Sequence, residues 1–85
     1  MKKEFNDIVK LIQKSQKEID THFRSIRKIP NEDKEVWKYI SEISVSIVND
    51  IIKGRVIDTE MIDEMLDLLS IVNKLKENIN SRKTK

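Results

Sequence analysis

The chain has 85 residues, enough for one domain that buries roughly 60 to 65% of its unfolded surface, and too few for two independent cores. Its 17 lysines and arginines nearly cancel its 15 acids, so a net charge of +2 creates no field that would draw it onto nucleic acid or an anionic membrane. With no cysteine and a single glycine, a disulfide framework, a thiolate zinc site, a thiol nucleophile and a glycine-rich phosphate loop are excluded.

The opening stretch MKKEFNDIVKLIQKSQKEID interleaves charges with its apolar residues. It therefore holds neither a signal-peptide core nor an apolar run of about 18 residues, and a cytoplasmic location is expected. Periodicity predicts a first helix over about 3–27, with Phe5, Ile8, Val9, Ile12, Ile19, Phe23 and Ile26 on a stripe about 100° wide. Lys3, Lys10, Lys14, Lys17, Arg24 and Lys28 form a basic stripe along the same helix, read as a solvated face. His22 is the only histidine; without a second His or any Cys it cannot build a typical zinc site, and it reads as structural beside Phe23.

Ile29 and Pro30 force an extended link. Asn31 then offers an N-cap, and Glu32, Asp33 and Glu35 crowd the first turn, where the positive end of the helix dipole favours acid. A second helix is expected over about 31–53. Its segment ISVSIVNDIIKG alternates at first like a strand, but a strand here would break a helical pattern of some 23 residues with no Gly or Pro boundary. On a wheel of about 100° per residue, Val36, Ile40, Ile43, Ile47 and Ile51 share one stripe, and Trp37, Val45, Val48 and Ile52 continue it. With Tyr39 the apolar arc reaches about 240°, more than a one-sided helix needs. Two explanations stand. Either this helix is central and touches both others, or the flank Trp37, Val45, Val48 and Ile52 is surplus and binds a partner protein or a second copy of the chain.

Gly54 supplies the left-handed residue that ends the second helix, and Asp58 or Thr59 caps a third over about 58–80. Met61, Ile62, Met65, Leu68, Leu69, Val72, Leu75 and Ile79 line one side of it. Glu60, Asp63, Glu64 and Asp67 recur at i, i+3, i+4 and i+7 as an acidic stripe, while Lys74, Lys76, Arg82 and Lys83 follow at the far end. Dipole complementarity and solvation explain such a stripe, and so does a surface for a basic partner, including mimicry of nucleic-acid phosphates. The tail 81–85 is polar and is expected to fray.

These elements make an all-α, antiparallel three-helix bundle in one domain, 1–85, or a four-helix one if the first helix is broken. No catalytic constellation, cofactor site or metal site emerges, so the expected function is non-enzymatic protein binding, reaching a membrane only through a receptor protein. Trp37, Val45, Val48, Ile52, Glu60, Asp63, Glu64 and Asp67 are the candidate contact residues. Alanine is absent while Ile, Lys and Asn abound, as translation from an AT-rich bacterial or phage genome would produce.

Two resemblances follow from these patterns. The stretch IDEMLDLLSIVNKL is similar to the opening helix of small three-helix chorismate mutases, but Val72 stands where that family needs an arginine for its substrate's carboxylates. The longer stretch ISEISVSIVNDIIKGRVIDTEMIDEMLDLLSIVN, residues 40–73, resembles the C-terminal helix pair of the immunity proteins that protect producers of pediocin-like (enterocin A-type) bacteriocins. It shares their order of apolar helix, short basic turn and acidic-to-leucine helix. The resemblance implies a small cytoplasmic helical bundle with no catalytic activity that acts on a membrane receptor complex already engaged by a bacteriocin. An alternative within the binding class is a phage- or plasmid-encoded inhibitor or antitoxin that grips its target through an acidic or apolar helix face.

Overall fold

The computed structural model describes residues 2–83 and folds them into three helices, α1 (Lys2–Ser25), α2 (Asn31–Ile52) and α3 (Thr59–Lys83). α1 is unbroken, which disposes of the four-helix variant. It ends two residues earlier than its periodicity implies, as the Ser25 hydroxyl donates to the His22 carbonyl at 2.7 Å and competes with continued helix. Ile26 and Ile29 then fold back against the core from the link.

α2 starts differently from the sequence reading. Pro30, not Asn31, is the cap: with φ −54° and ψ 142° it is already extended, and its carbonyl accepts the first helical bond from Lys34 N–H at 3.0 Å. No side chain caps this end, so Asn31 is simply the first helical residue. The C-terminal end of α2 follows the expectation. Gly54 takes φ +100°, its N–H donates to the Ile51 carbonyl at 3.0 Å, and Arg55 N–H donates to the Asp50 carbonyl at 2.9 Å. These paired bonds are a Schellman ending. α3 is capped by Asp58, whose Oδ1 accepts Met61 N–H at 3.0 Å.

The helices run up, down and up. Gln16 reaches Ser44 and Phe23 meets Trp37 across α1 and α2, whereas Ser15 lies beside Asn73 and Glu18 beside Lys76, so α1 and α3 are parallel and α2 opposes both. Their middle is α3. Among the described residues no Cα of α1 comes within 8 Å of one of α2, while α3 approaches both that closely. The expectation of a central α2 therefore fails: Met61, Ile62, Met65, Leu68, Val72, Leu75 and Ile79 of α3 are all buried, whereas α2 buries only Ile40 and Ile47 among its apolar residues.

The rod measures 43 × 20 × 16 Å, and its radius of gyration of 14.0 Å exceeds the roughly 12 Å of a compact domain this long. Such a shape leaves much helix surface uncovered. Among the described residues no helix is long and apolar enough to cross a membrane.

α3 also continues past the expected stop at 80. Arg82, placed by the sequence reading in a fraying tail, extends a guanidinium nitrogen to Asp33 Oδ2 in the first turn of α2. Asp33 is 4% exposed, so this contact supplies the countercharge that a buried carboxylate requires. Residues 84 and 85 of that tail lie outside the described residues.

Candidate protein-binding surfaces

The candidate flank on α2 divides in two. Trp37 is half-buried and sets its ring edge-on to Phe23, with centroids 5.5 Å apart and planes at 90°. A T-shaped pair of this kind closes the α1–α2 side of the core. Val45, Val48 and Ile52 instead stand 58%, 54% and 76% exposed on the outer side of the helix. One helix thus carries two apolar stripes, Ile40 and Ile47 turned inward and Val45, Val48 and Ile52 turned outward. Val56, beyond the Schellman turn, is 73% exposed at the same end of α2, a residue that periodicity could not flag because it lies in a loop.

The acidic stripe divides as well. Glu64 is held by Arg55, which donates from Nη1 to Oε2 at 3.0 Å and from Nη2 to Oε1 at 3.2 Å. Nη1 also donates to Asp50 Oδ2 at 3.1 Å, so one guanidinium ties the end of α2 to the first half of α3. The hydrogen bonds that Arg55 donates to Glu64 are the chief cause that raises its pKa above the ordinary value, against desolvation, and the bond it donates to Asp50 adds to the rise. Arg55 was missed in the sequence; the only signal was its place directly after Gly54, where it faces the last α2 carbonyls. Glu60, Asp63 and Asp67 remain exposed and form no ion pair among the described residues. These three make the open acidic edge of α3.

The basic stripe of α1 does not neutralise that edge. Lys3, Lys10, Lys14, Lys17 and Lys28 are exposed, and Arg24 pairs within its own helix with Asp20 at 3.0 Å. The ion pair that joins α1 to α3 has the opposite polarity, Glu18 on α1 meeting Lys76 Nζ on α3 at 2.5 Å. The Lys76 hydrogen bond holds the Glu18 carboxyl below its ordinary value.

A shallow hollow between α1 and α3 is lined by Lys17, Glu18, His22, Lys76 and Asn80, but its acid and one of its bases are already paired with each other. His22 lies with its ring 6.0 Å from that of Phe23, tilted by 50°. Among the described residues no group of three or more His, Asp or Glu side chains is placed to hold a metal ion, and every buried side-chain nitrogen and oxygen has a hydrogen-bond partner. The features that stand out are therefore surfaces: an apolar ridge on α2 and an acidic edge on α3. Comparison of the chain with protein-family models, with curated proteins and with solved structures finds no match.

Proposed function

We propose that this chain is a non-enzymatic module that works by binding another protein, with the outer ridge of α2 and the acidic edge of α3 as its contact surfaces. The observation that carries this reading is the exposure of Val45, Val48 and Ile52 in a line along a helix that already has an inward apolar stripe. Fold stability has no use for that second stripe, and contiguous exposed apolar residues mark interaction sites. The acidic edge adds selectivity, since unpaired carboxylates in a row favour a basic face on the partner.

Within this class the specific function we propose is bacteriocin immunity, exercised in the cytoplasm on a membrane receptor complex. It is supported by the resemblance over residues 40–73, the segment that carries both surfaces. Expression of the chain in a sensitive host is expected to protect it from one or a few related bacteriocins. Unchanged sensitivity across a panel, with a soluble nuclease, polymerase or toxin recovered on the immobilised chain, would replace immunity with inhibition. Glu60, Asp63 and Asp67 favour that second reading, because an exposed acidic row can occupy a site built for phosphates.

A further inference from the structure

We propose that α2 is a strap that opens and closes as one unit over the pair formed by α1 and α3, fastened at each of its ends by one arginine. The inference goes beyond the binding reading and holds without it, since it concerns how the fold comes apart.

Burial is the first support. α1 buries Phe5, Ile8, Ile12, Ile19 and Phe23, and α3 buries an unbroken stripe from Met61 to Ile79. α2, with 22 residues, buries only Ile40 and Ile47 of its apolar side chains, while Val36, Trp37, Ile43 and Ile51 are half-covered at the margin of the core. The helix that removes least apolar surface from water is the one that separates most easily. Topology is the second. α1 packs on α3, and among the described residues no Cα of α1 lies within 8 Å of one of α2, so lifting α2 leaves the backbone packing of the other two helices whole. Ser15 keeps its place beside Asn73, and Glu18 beside Lys76.

The fastenings sit at the two ends. In the first turn of α2 the buried Asp33 is held by Arg82 from the end of α3. In the last turn Asp50 is held by Arg55, whose other bonds go to Glu64 of α3. Between these clasps Gln16 donates to Ser44 at 3.3 Å and Trp37 meets Phe23 edge-on. A non-helical link flanks α2 on each side: 26–30, with Ile26 and Ile29 packed on the core, and 53–58, with Ile57 packed likewise. The strap therefore stays anchored at both ends while the link residues next to it absorb the rotation, as hinge residues at element ends do. What it moves is the wide apolar arc. Closed, α2 shows Val45, Val48 and Ile52; open, it adds Trp37, Ile40, Ile43 and Ile47.

Native-state hydrogen exchange of the full chain, read amide by amide at low urea, tests the strap on the wild-type protein. The slowest amides of α2 are expected to share one opening and to exchange about tenfold or more faster than the slowest amides of α1 and α3, which open together. Arg82→Gln removes a contact that is absent from both the opened and the unfolded form. It is therefore expected to speed exchange in all three helices by one common factor of about five, and Arg55→Gln is expected to act in the same direction. Slowest amides that are equally slow in all three helices would overturn the proposal, because α2 would then leave only when the whole fold does. So would α2 amides whose rates grade inward from its ends without a shared opening, or wild-type rates in both arginine variants. No target is needed for any of these measurements, so their outcome is separate from that of the protection assay.

Discussion

Gly54→Ala isolates a single physical effect. Gly54 holds φ +100°, and a Cβ built there meets nothing within 4 Å, so the substitution introduces no clash and changes only the backbone preference. A side chain at positive φ costs about 1–2 kcal/mol. Part of that is offset because alanine reduces the freedom of the unfolded chain by about 0.4–1 kcal/mol. The net loss is about 1 kcal/mol, which for a domain this small lowers Tm by about 4–8 °C. Thermal and urea unfolding followed by circular dichroism measure it directly. A chemically assembled chain with D-alanine at 54 supplies the mirror test, since a D residue prefers positive φ and has the same open space. That chain should gain about 0.4–1 kcal/mol over the glycine form. If L-alanine raised Tm, α2 and α3 would be one continuous helix, where the change is worth about 1 kcal/mol in the stabilising direction. If both alanines lowered Tm equally, the cost would be steric and the account of an open Schellman turn wrong.

Other measurements probe the remaining contacts. Arg82→Ala leaves Asp33 buried without its countercharge and should cost about 1–3 kcal/mol in urea unfolding, much of it recovered when Asp33→Asn is added; no loss would mean that the end of α3 frays. Glu18 has its folded pKa lowered chiefly by the Lys76 hydrogen bond, so its contribution is present above the unfolded carboxylate pKa and lost as pH falls through the folded one. Lys76→Met should therefore flatten the acid limb of the stability curve, and an unchanged limb would show that the pair contributes nothing in solution. Neutralising Glu60, Asp63 and Asp67 together to Gln, Asn and Asn should move stability by no more than about 0.5 kcal/mol per site while abolishing protection or target capture. Retained capture would remove the acidic edge from the contact.

Much of the fold was legible because punctuation and period agree. One proline, one glycine and an acid at each helix start bracket three long apolar repeats, and the structure places breaks at Pro30 and Gly54 as those residues require. The misreadings were local. Asn31 has the side chain of a cap, but the chain enters the helix from Pro30, whose ψ of 142° is extended and whose own carbonyl opens the ladder. The terminal polar run looked free because no sequence rule pairs Arg82 with Asp33, which lie 49 residues apart. Arg55 escaped for a similar reason, as its partners Asp50 and Glu64 come together only once the turn is closed. Of the candidate contact residues, Trp37 and Glu64 were drawn inward by neighbours outside their own helices, Phe23 on α1 and Arg55 in the turn after α2, which a wheel of one helix cannot display. Val45, Val48, Ile52, Glu60, Asp63 and Asp67 stayed on the surface.

The position of α3 is what turns the apolar surplus of α2 into a functional argument. A central helix needs a wide apolar arc to serve two neighbours, and from sequence alone the arc of α2 could have been that arc. Since α3 takes the middle, α2 needs only its inward stripe, and no packing demand within the bundle accounts for the outward one. The two stripes should then respond oppositely to the same perturbation. Ile40→Ala removes a fully buried side chain and is expected to cost about 2–5 kcal/mol of stability. Val48→Ala, at a site 54% exposed, should change stability by no more than about 0.5 kcal/mol and show its effect in association alone. A loss at Val48 as large as that at Ile40 would mean the ridge is part of the core, and the surface on which the function is placed would not exist.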